Sequence, residues 1–299
     1  MRVFVTGASG HIGSALLPEL LEAGHEAVGL VRSDASEAVV VGAGARAHRG
    51  TIADPEGFAG AVAAADGVIH LAFDHEAMRA GDAAGAIATD ARVMEMYARV
   101  LAGTGKPLVA ASGTLILAGL GRTGTEDDAP ALEGMPDRES PVMALADRGV
   151  RVSAVRLPPT VHSSLDRHGF IPALIGIARE AGASGYVGDG ANRWPAGHTR
   201  DVARLFRLAL EKAPAGARLH AAGDLGIPFR EIAEAIGKNL GVPAVSVAPE
   251  EADARFGFLG PIVRMDNPVS TARTRELLGW EPSRPGLIDD LNQGHYFAA

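Results

Sequence analysis

The sequence opens with MRVFVTGASGHIG, Met1 to Gly13, in which an alternating apolar segment runs directly into a glycine-rich stretch. The alternation predicts a buried β-strand. Gly7 permits a tight turn out of that strand, Gly10 lets the backbone approach a pyrophosphate, and Gly13 lets the following helix pack close to the sheet. This spacing predicts a dinucleotide-binding site.

The residues after the loop agree with this interpretation. Ser14 to Leu21 has the pattern of an amphipathic helix that ends at Gly24. The first N–H groups of such a helix and the positive end of its dipole attract phosphates. The alternative is a glycine-rich turn without a ligand, which the strand before it and the helix after it disfavour. The predicted coenzyme contacts in the loop are Gly7, Ser9, Gly10, His11, Ile12 and Gly13.

Length and composition narrow the class of protein. The 299 residues suggest about two domains or one large α/β unit. A net charge of −8 offers no basic surface for nucleic acid or an anionic membrane, and the absence of cysteine excludes disulfides, thiol nucleophiles and thiolate metal sites. No basic and apolar leader precedes the first strand, and no apolar run approaches the ~20 residues that span a bilayer. We therefore expect a soluble, cytoplasmic protein.

Strand and helix signals alternate along the chain at the spacing of βαβ units. The longest predicted helix covers Ala83 to Leu101. This order predicts an α/β fold with a doubly wound parallel (Rossmann) sheet, whose ligands lie at the carboxyl ends of the strands. Beyond the first strand, the predicted strands are Glu26 to Val31, Ala45 to Arg49, Gly67 to Ala72, Pro107 to Ala111, Arg151 to Arg156 and Arg218 to Ala222.

The pattern loosens after Pro158, where Pro, Gly and Trp become more frequent. We expect residues 1–162, joined by 196–224, to form the Rossmann domain. Residues 163–195 and 225–299 are expected to form a smaller C-terminal lobe that binds the substrate.

Several segments resemble the extended short-chain dehydrogenase/reductases of the NAD-dependent epimerase/dehydratase group. The resemblance implies a Rossmann-type oxidoreductase that binds NAD or NADP, acts on a small molecule and forms a homodimer through helices near 83–101 and 139–148. The matching segments are TGASGHIG at 6–13, VIHLAF at 68–73, VRLPPTVH at 155–162, HTRDVARLFRLAL at 198–210, PFREIAEAIGKNLGVP at 228–243 and TARTRELLGWEP at 271–282.

Coenzyme selectivity is determined at the end of the second strand, where an acidic residue favours NAD and a cation favours the 2′-phosphate of NADP. Arg32 lies there, and the hydroxyl of Ser33 adds a further donor. NADP is therefore the predicted coenzyme. Two alternatives remain: Arg32 is a solvated strand end, or Asp34 reaches the ribose of NAD.

The resemblance also implies contacts along the rest of the coenzyme. Thr51 and Ile52 follow the third strand, where the adenine lies in similar proteins. Leu71, Ala72 and Phe73 end the fourth strand and are expected to line the nicotinamide ribose, although Phe73 suits an ordinary core equally. Pro158 and Val161 follow the sixth strand and are expected at the nicotinamide face.

The family's usual proton relay is a tyrosine followed four positions later by a lysine. The expected positions fall at Ala131 and Met135, and Pro130 and Pro136 disfavour a continuous helix there. The sequence therefore predicts a site without this relay. Its tyrosines are Tyr97, Tyr186 and Tyr296, and its lysines are Lys106, Lys212 and Lys238.

Three residues remain as predicted catalytic groups. Ser112 and Thr114 take the place of the family's serine, with backbone hydrogen bonding as the alternative role. His162 is the best remaining acid or base by residue type, because imidazole titrates near neutral pH. A structural histidine bonded to a loop carbonyl is its alternative.

The predicted substrate-binding residues are Arg193, Trp194 and His198. Together with His162 they suggest a partly apolar pocket for a small or aromatic ligand. The scattered histidines predict no metal site, and the acidic run Glu126-Asp127-Asp128 is predicted to be a solvated loop.

Two functions remain open. One is an NADP(H)-dependent oxidoreductase acting on a small carbonyl, quinone or imine-like acceptor. The other is a redox sensor that binds NADP(H) without turnover.

Overall fold

The computed structural model describes residues 1–132 and 137–298. The strands are β1 (Arg2–Thr6), β2 (Glu26–Val31), β3 (Arg46–Arg49), β4 (Gly67–His70), β5 (Pro107–Gly113), β6 (Arg151–Leu157), β7 (Thr160–His162), β8 (Ser184–Val187), β9 (Arg193–His198), β10 (Ala217–His220), β11 (Asp224–Pro228) and β12 (Ala244–Val247). The α-helices are α1 (His11–Glu22), α2 (Asp34–Gly42), α3 (Glu56–Ala64), α4 (His75–Arg79), α5 (Ala83–Leu101), α6 (Glu139–Met143), α7 (Phe170–Ala181), α8 (Thr199–Lys212), α9 (Phe229–Leu240), α10 (Ala252–Phe256), α11 (Ala272–Leu278) and α12 (Leu287–Asn292). Short 3₁₀ helices cover Thr114–Leu120, Ala144–Arg148, Pro249–Glu251 and Gly257–Leu259.

Seven parallel strands form the central sheet in the order β10-β6-β5-β4-β1-β2-β3. The order reverses beside β1, between β2 and β4, and such a switch point leaves a crevice at the carboxyl ends of the strands. The predicted doubly wound Rossmann sheet is confirmed. Among the described residues, no helix combines the length and the apolar character needed to cross a bilayer.

Strand alternation explains how both faces of this sheet are covered. In β1, Val3 and Val5 belong to the core under α1 and α8, whereas Phe4 belongs to the core under α3 and α5. Successive strand residues point to opposite faces, so one apolar strand supplies both layers. Leu16 and Phe206 are fully buried in the first layer, each contributing about 1.5–3 kcal/mol through apolar burial.

A further hydrophobic cluster is built from residues after 169, around the fully buried Trp194. It packs α7, α9 and α12 against two small sheets, of strand order β11-β9-β7 and β12-β8. Trp194 in β9 meets Phe229 of α9 edge to face at 4.8 Å. Most residues of this cluster lie within 163–195 and 225–299, whereas Ala196 falls in the segment expected to return to the Rossmann domain. The domain boundaries remain a prediction.

Candidate functional site

The glycine loop joins β1 to α1 at the crevice of the central sheet. Gly7 has a φ of 69°, and a Cβ on it would lie 2.9 Å from the backbone nitrogen of Ala72. A Cβ on Gly13 would lie 2.2 Å from the Gly7 carbonyl oxygen. Both positions therefore require glycine. Gly10 is exposed, and the helix that starts after it has no side-chain cap, which leaves the first N–H groups of α1 available to an anion.

His11 ties this helix start to the later part of the chain. Its Nε2 lies 2.7 Å from Oγ1 of Thr199. That hydroxyl donates to the His162 carbonyl at 3.0 Å and accepts from the Ser163 hydroxyl at 2.8 Å, so its remaining lone pair accepts a hydrogen bond from the Nε2–H group of His11. Burial, followed by the charges of His162 and His198, lowers the pKa of His11 to about 4. His11 is therefore neutral at pH 7, with the proton on Nε2.

The end of β2 presents charged side chains to solvent. Arg32 forms a two-point ion pair with Glu76, with nitrogen to oxygen distances of 2.6 and 3.2 Å. The Ser33 hydroxyl caps α2 by accepting from the Ser36 N–H. Arg49 pairs with carboxylates at the start of the same helix. A 2′-phosphate here would meet two guanidinium groups that already have carboxylate partners.

The predicted adenine contacts lie beyond β3, where Thr51 is exposed and Ile52 is half-buried against the core under α3 and α5. Leu71, Ala72 and Phe73, which were predicted to line the nicotinamide ribose, are half-buried at the end of β4. The N–H groups of Leu71 and Ala72 donate to the carbonyl and hydroxyl of the β1 terminal threonine, at 3.2 and 3.3 Å. This segment therefore lies directly against the glycine loop.

The guanidinium group of Arg138 lies over the ring of Phe73. The Arg138 Cζ lies 3.5 Å from the ring centroid. An Nη of Arg138 contacts Asp90 at 3.4 Å, and Asp90 in turn contacts Nε2 of His70 at 3.3 Å. Burial raises the pKa of Asp90, but the hydrogen bond from His70 and the charge of Arg138 outweigh it, so the net pKa is lowered. Asp90 is therefore a carboxylate that anchors Arg138.

Each predicted catalytic residue has a different partner. Ser112 is half-buried at the end of β5 and lies near Glu139, whose pKa its hydroxyl helps to lower. Thr114 is fully buried and donates to the side-chain oxygen of Asn267 at 2.7 Å. His162 is also fully buried, with Nδ1 2.8 Å from Asp290, and its Nε2 has no partner within the described chain. Ser112 alone among the three retains exposed surface.

A polar row that the sequence did not predict crosses three strands behind Ser112. Strand register places Ser112 beside Arg156 and Arg156 beside His220. The fully buried Arg156 holds Glu139 through two hydrogen bonds of 2.7 and 2.6 Å. Arg218 adds a third, at 2.8 Å. Burial raises the pKa of Glu139, but Arg156 outweighs it and the net pKa is lowered, so Ser112 faces an ionised carboxylate.

The predicted substrate residues are placed differently from one another. Arg193 forms a two-point ion pair with Asp266 at 2.7 and 3.0 Å. Trp194 lies in the hydrophobic cluster after residue 169, fully enclosed. His198 is half-buried, with its ring 5.5 Å from that of His162, and burial followed by the charge of His162 lowers its pKa. The structure therefore brings His162 and His198 together. Within residues 1–132 and 137–298, no three His, Asp or Glu side chains are arranged to hold a metal ion.

Comparison with known proteins assigns the chain to a family. A model of the NAD dependent epimerase/dehydratase family matches residues 3–131. The chain is 46% identical over 299 residues to an uncharacterized protein of Schizosaccharomyces pombe, covering 99% of this chain and 100% of that protein. It is 30% identical over 263 residues to 2-alkyl-3-oxoalkanoate reductase of Stenotrophomonas maltophilia, covering 83% and 78% of the two chains. The chain belongs to the NAD-dependent epimerase/dehydratase family.

Solved structures agree with this fold. The dTDP-glucose 4,6-dehydratase DesIV of Streptomyces venezuelae, solved with NAD bound, matches this family member with a TM-score of 0.77 at 20% identity. The match covers 99% of this chain and 96% of that one. At this level of identity, the comparison shows that the two chains share a fold.

Two of the three tyrosines, Tyr97 and Tyr296, have hydrogen-bond partners within the protein. Tyr97 is fully buried in α5 with its hydroxyl 3.1 Å from Nδ1 of His70, and burial raises its pKa. Tyr296 donates to Asp166 at 3.1 Å. At the positions predicted for the relay, Ala131 donates its N–H to a carbonyl of the 3₁₀ helix after β5, whereas Met135 and Pro136 lie outside the described residues.

Proposed function

We propose that the protein is an NADP(H)-dependent oxidoreductase that reduces a small carbonyl, quinone or imine-like acceptor without a tyrosine–lysine relay. The supporting observation is the uncapped start of α1 behind a loop whose Gly7 and Gly13 leave no room for side chains. This loop lies at the crevice of a parallel sheet, where such ligands bind.

The residues present fit a dinucleotide. Backbone N–H groups of His11, Ile12 and Gly13 would hold the diphosphate, and Leu71 to Phe73 would line the nicotinamide half. Arg32 and Ser33 would hold the 2′-phosphate, for which Arg32 exchanges its bond to Glu76. NAD remains the alternative coenzyme, since a carboxylate already occupies Arg32. When bound, the nicotinamide supplies or accepts the hydride, and the chain supplies position and polarity.

Ser112 is the best placed of the proposed catalytic residues. Glu139, ionised and fixed by Arg156, would accept a hydrogen bond from the nearby Ser112 hydroxyl and orient it. A fixed hydroxyl at the end of β5 can hydrogen-bond the oxygen of a substrate carbonyl. His162 is a further proposed group because its Nε2 has no hydrogen-bond partner within the described chain, although a ligand would reach it only after a local rearrangement. Thr114, bonded to Asn267, would fix the backbone beside them.

Turnover is tested by NADPH and NADH oxidation against a panel of carbonyls, quinones and imines. Ser112→Ala and His162→Ala are each expected to lower kcat about 100- to 1,000-fold, the effect of removing one polar group from a reacting centre. Ser246→Ala is the matched control, because this serine is exposed on β12. Full activity in both site variants would contradict these assignments.

A redox sensor is the second candidate function. It is favoured by the complete burial of Thr114 and His162, which leaves two of the three proposed catalytic side chains without exposed surface. Tight NADPH binding without turnover on any acceptor would support the sensor and exclude the oxidoreductase.

A further inference from the structure

Arg138 combines three features that general packing does not require together. Its guanidinium covers the ring of Phe73, an Nη contacts Asp90, and its Nε is buried without a partner in the described chain. Burial lowers the pKa of Arg138, opposed by Asp90, but an arginine remains charged at neutral pH. A donor of a charged group that lacks an acceptor is costly, and the Arg138 side chain as a whole remains 32% exposed, so its guanidinium can be reached by a ligand oxygen.

The position of this guanidinium in the fold indicates which part of a ligand it would contact. Phe73 continues the segment whose Leu71 and Ala72 lie against Gly7 of the coenzyme loop. The next residue after Arg138 is Glu139, which bonds Arg156, the strand neighbour of Ser112 at the end of β5. Arg138 therefore lies near the carboxyl ends of β4 and β5, whereas Arg32 follows β2, on the other side of β1 in the sheet.

We propose that Arg138 is a coenzyme-positioning residue, whose guanidinium, held by Asp90 and stacked on Phe73, binds oxygen atoms of the nicotinamide half of the dinucleotide. This inference rests on the proposed function, since it requires that the crevice binds the coenzyme. Arg138 would therefore supply a cation at the nicotinamide end from a position outside the predicted relay residues, Ala131 and Met135. Asp90 acts through Arg138 by fixing its direction.

The test compares the whole coenzyme with its adenine half. Arg138→Met keeps an unbranched apolar stem on Phe73 and removes the donors. Isothermal titration with NADPH is expected to show affinity reduced about 10- to 100-fold, the range for a lost hydrogen bond to a charged group. Titration with adenosine 2′,5′-bisphosphate, which lacks the nicotinamide half, is expected to be unchanged. NADH with ADP provides the same comparison without the 2′-phosphate.

Controls separate this role from a structural one. Arg148→Met removes an exposed guanidinium that pairs with Glu95, and it is expected to change neither affinity. If Arg138→Met does not fold, Asp90→Asn removes the anchoring charge and is expected to weaken NADPH about three- to tenfold with the half-ligand unchanged. Unchanged NADPH affinity, or equal weakening of both ligands, would overturn the inference. A wild-type protein that binds neither NADPH nor NADH would instead overturn the proposed function.

Discussion

Replacing Gly13 by alanine tests the loop geometry on which the site depends. The new Cβ would lie 2.2 Å from the Gly7 carbonyl oxygen, whereas real Cβ contacts essentially never fall below 3.0 Å, so these atoms must separate by 0.8 Å. The three nearest atoms, one in Gly7 and two in Ala8, all belong to the backbone, which cannot swing aside. Overpacking of this kind costs about 1–3 kcal/mol, offset by about 0.5–1 kcal/mol from the better helix propensity of alanine.

The expected net loss is therefore about 1 kcal/mol and at most about 2.5 kcal/mol, which lowers Tm by about 2 °C and at most about 4 °C in a chain of this size. Separating the loop from α1 also displaces the N–H groups proposed to hold the diphosphate, so NADPH affinity should fall at least about tenfold. Differential scanning calorimetry and isothermal titration measure the two effects.

Gly60→Ala is the matched control, because Gly60 lies inside α3 and a Cβ added there would meet no atom of another element within 4 Å. It should raise Tm by about 1–4 °C and leave NADPH affinity unchanged. A Gly13→Ala protein that melts at or above the wild-type temperature would refute the packing argument. Wild-type NADPH affinity in that variant would refute the role of the loop in coenzyme binding.

Three further outcomes follow from charged and titrating groups. Glu76→Gln should raise the preference for NADPH over NADH about threefold or more, because Arg32 loses a charged competitor for the 2′-phosphate, and an unchanged ratio of the two affinities counts against that role. Glu139→Gln should lower the free energy of unfolding by about 3–5 kcal/mol in urea titrations, because it leaves the buried Arg156 without its counter-ion, whereas a loss below about 1 kcal/mol would contradict this. Burial lowers the pKa of His220 from 6.5 to about 4, so the unfolded chain takes up this proton first as the pH falls. The contribution of this group to the free energy of unfolding is complete above about pH 6.5 and is about 2 kcal/mol smaller at pH 5. His220→Gln should therefore make the free energy of unfolding less dependent on pH in this range, and an unchanged pH dependence would contradict the assignment.

The central sheet was predictable because its signals are local. The bounds of β2 and α5 agree with the predicted segments, and β6 extends its predicted segment by one residue. The five short strands after Pro158, other than β10, were not predicted, since they have three to six residues and include glycine, proline and charged positions. Their stability comes from partners that are distant in sequence, as in the contact of Trp194 with Phe229.

The candidate site was predictable only in part, because most of its hydrogen bonds join residues that are distant in sequence. The glycine loop shows its spacing within eight residues, but the partners of Arg156 lie 17 and 64 residues away. The acidic run was predicted as a solvated loop, which is right for the exposed Asp127 and wrong for Glu126. Glu126 is buried because it accepts hydrogen bonds from the N–H and hydroxyl of Thr274, a residue 148 positions later.

The late position of β10 has a consequence for synthesis of the chain on the ribosome. β6 ends at Leu157 and β10, its partner at the sheet edge, begins at Ala217, sixty residues later. At about 5–20 residues per second, the growing chain exposes the free backbone edge of β6 for about 3–12 s before it is covered. During this interval the nascent protein can pair with a foreign strand, so folding in the cell should depend on a chaperone more strongly than the stability of the finished sheet suggests.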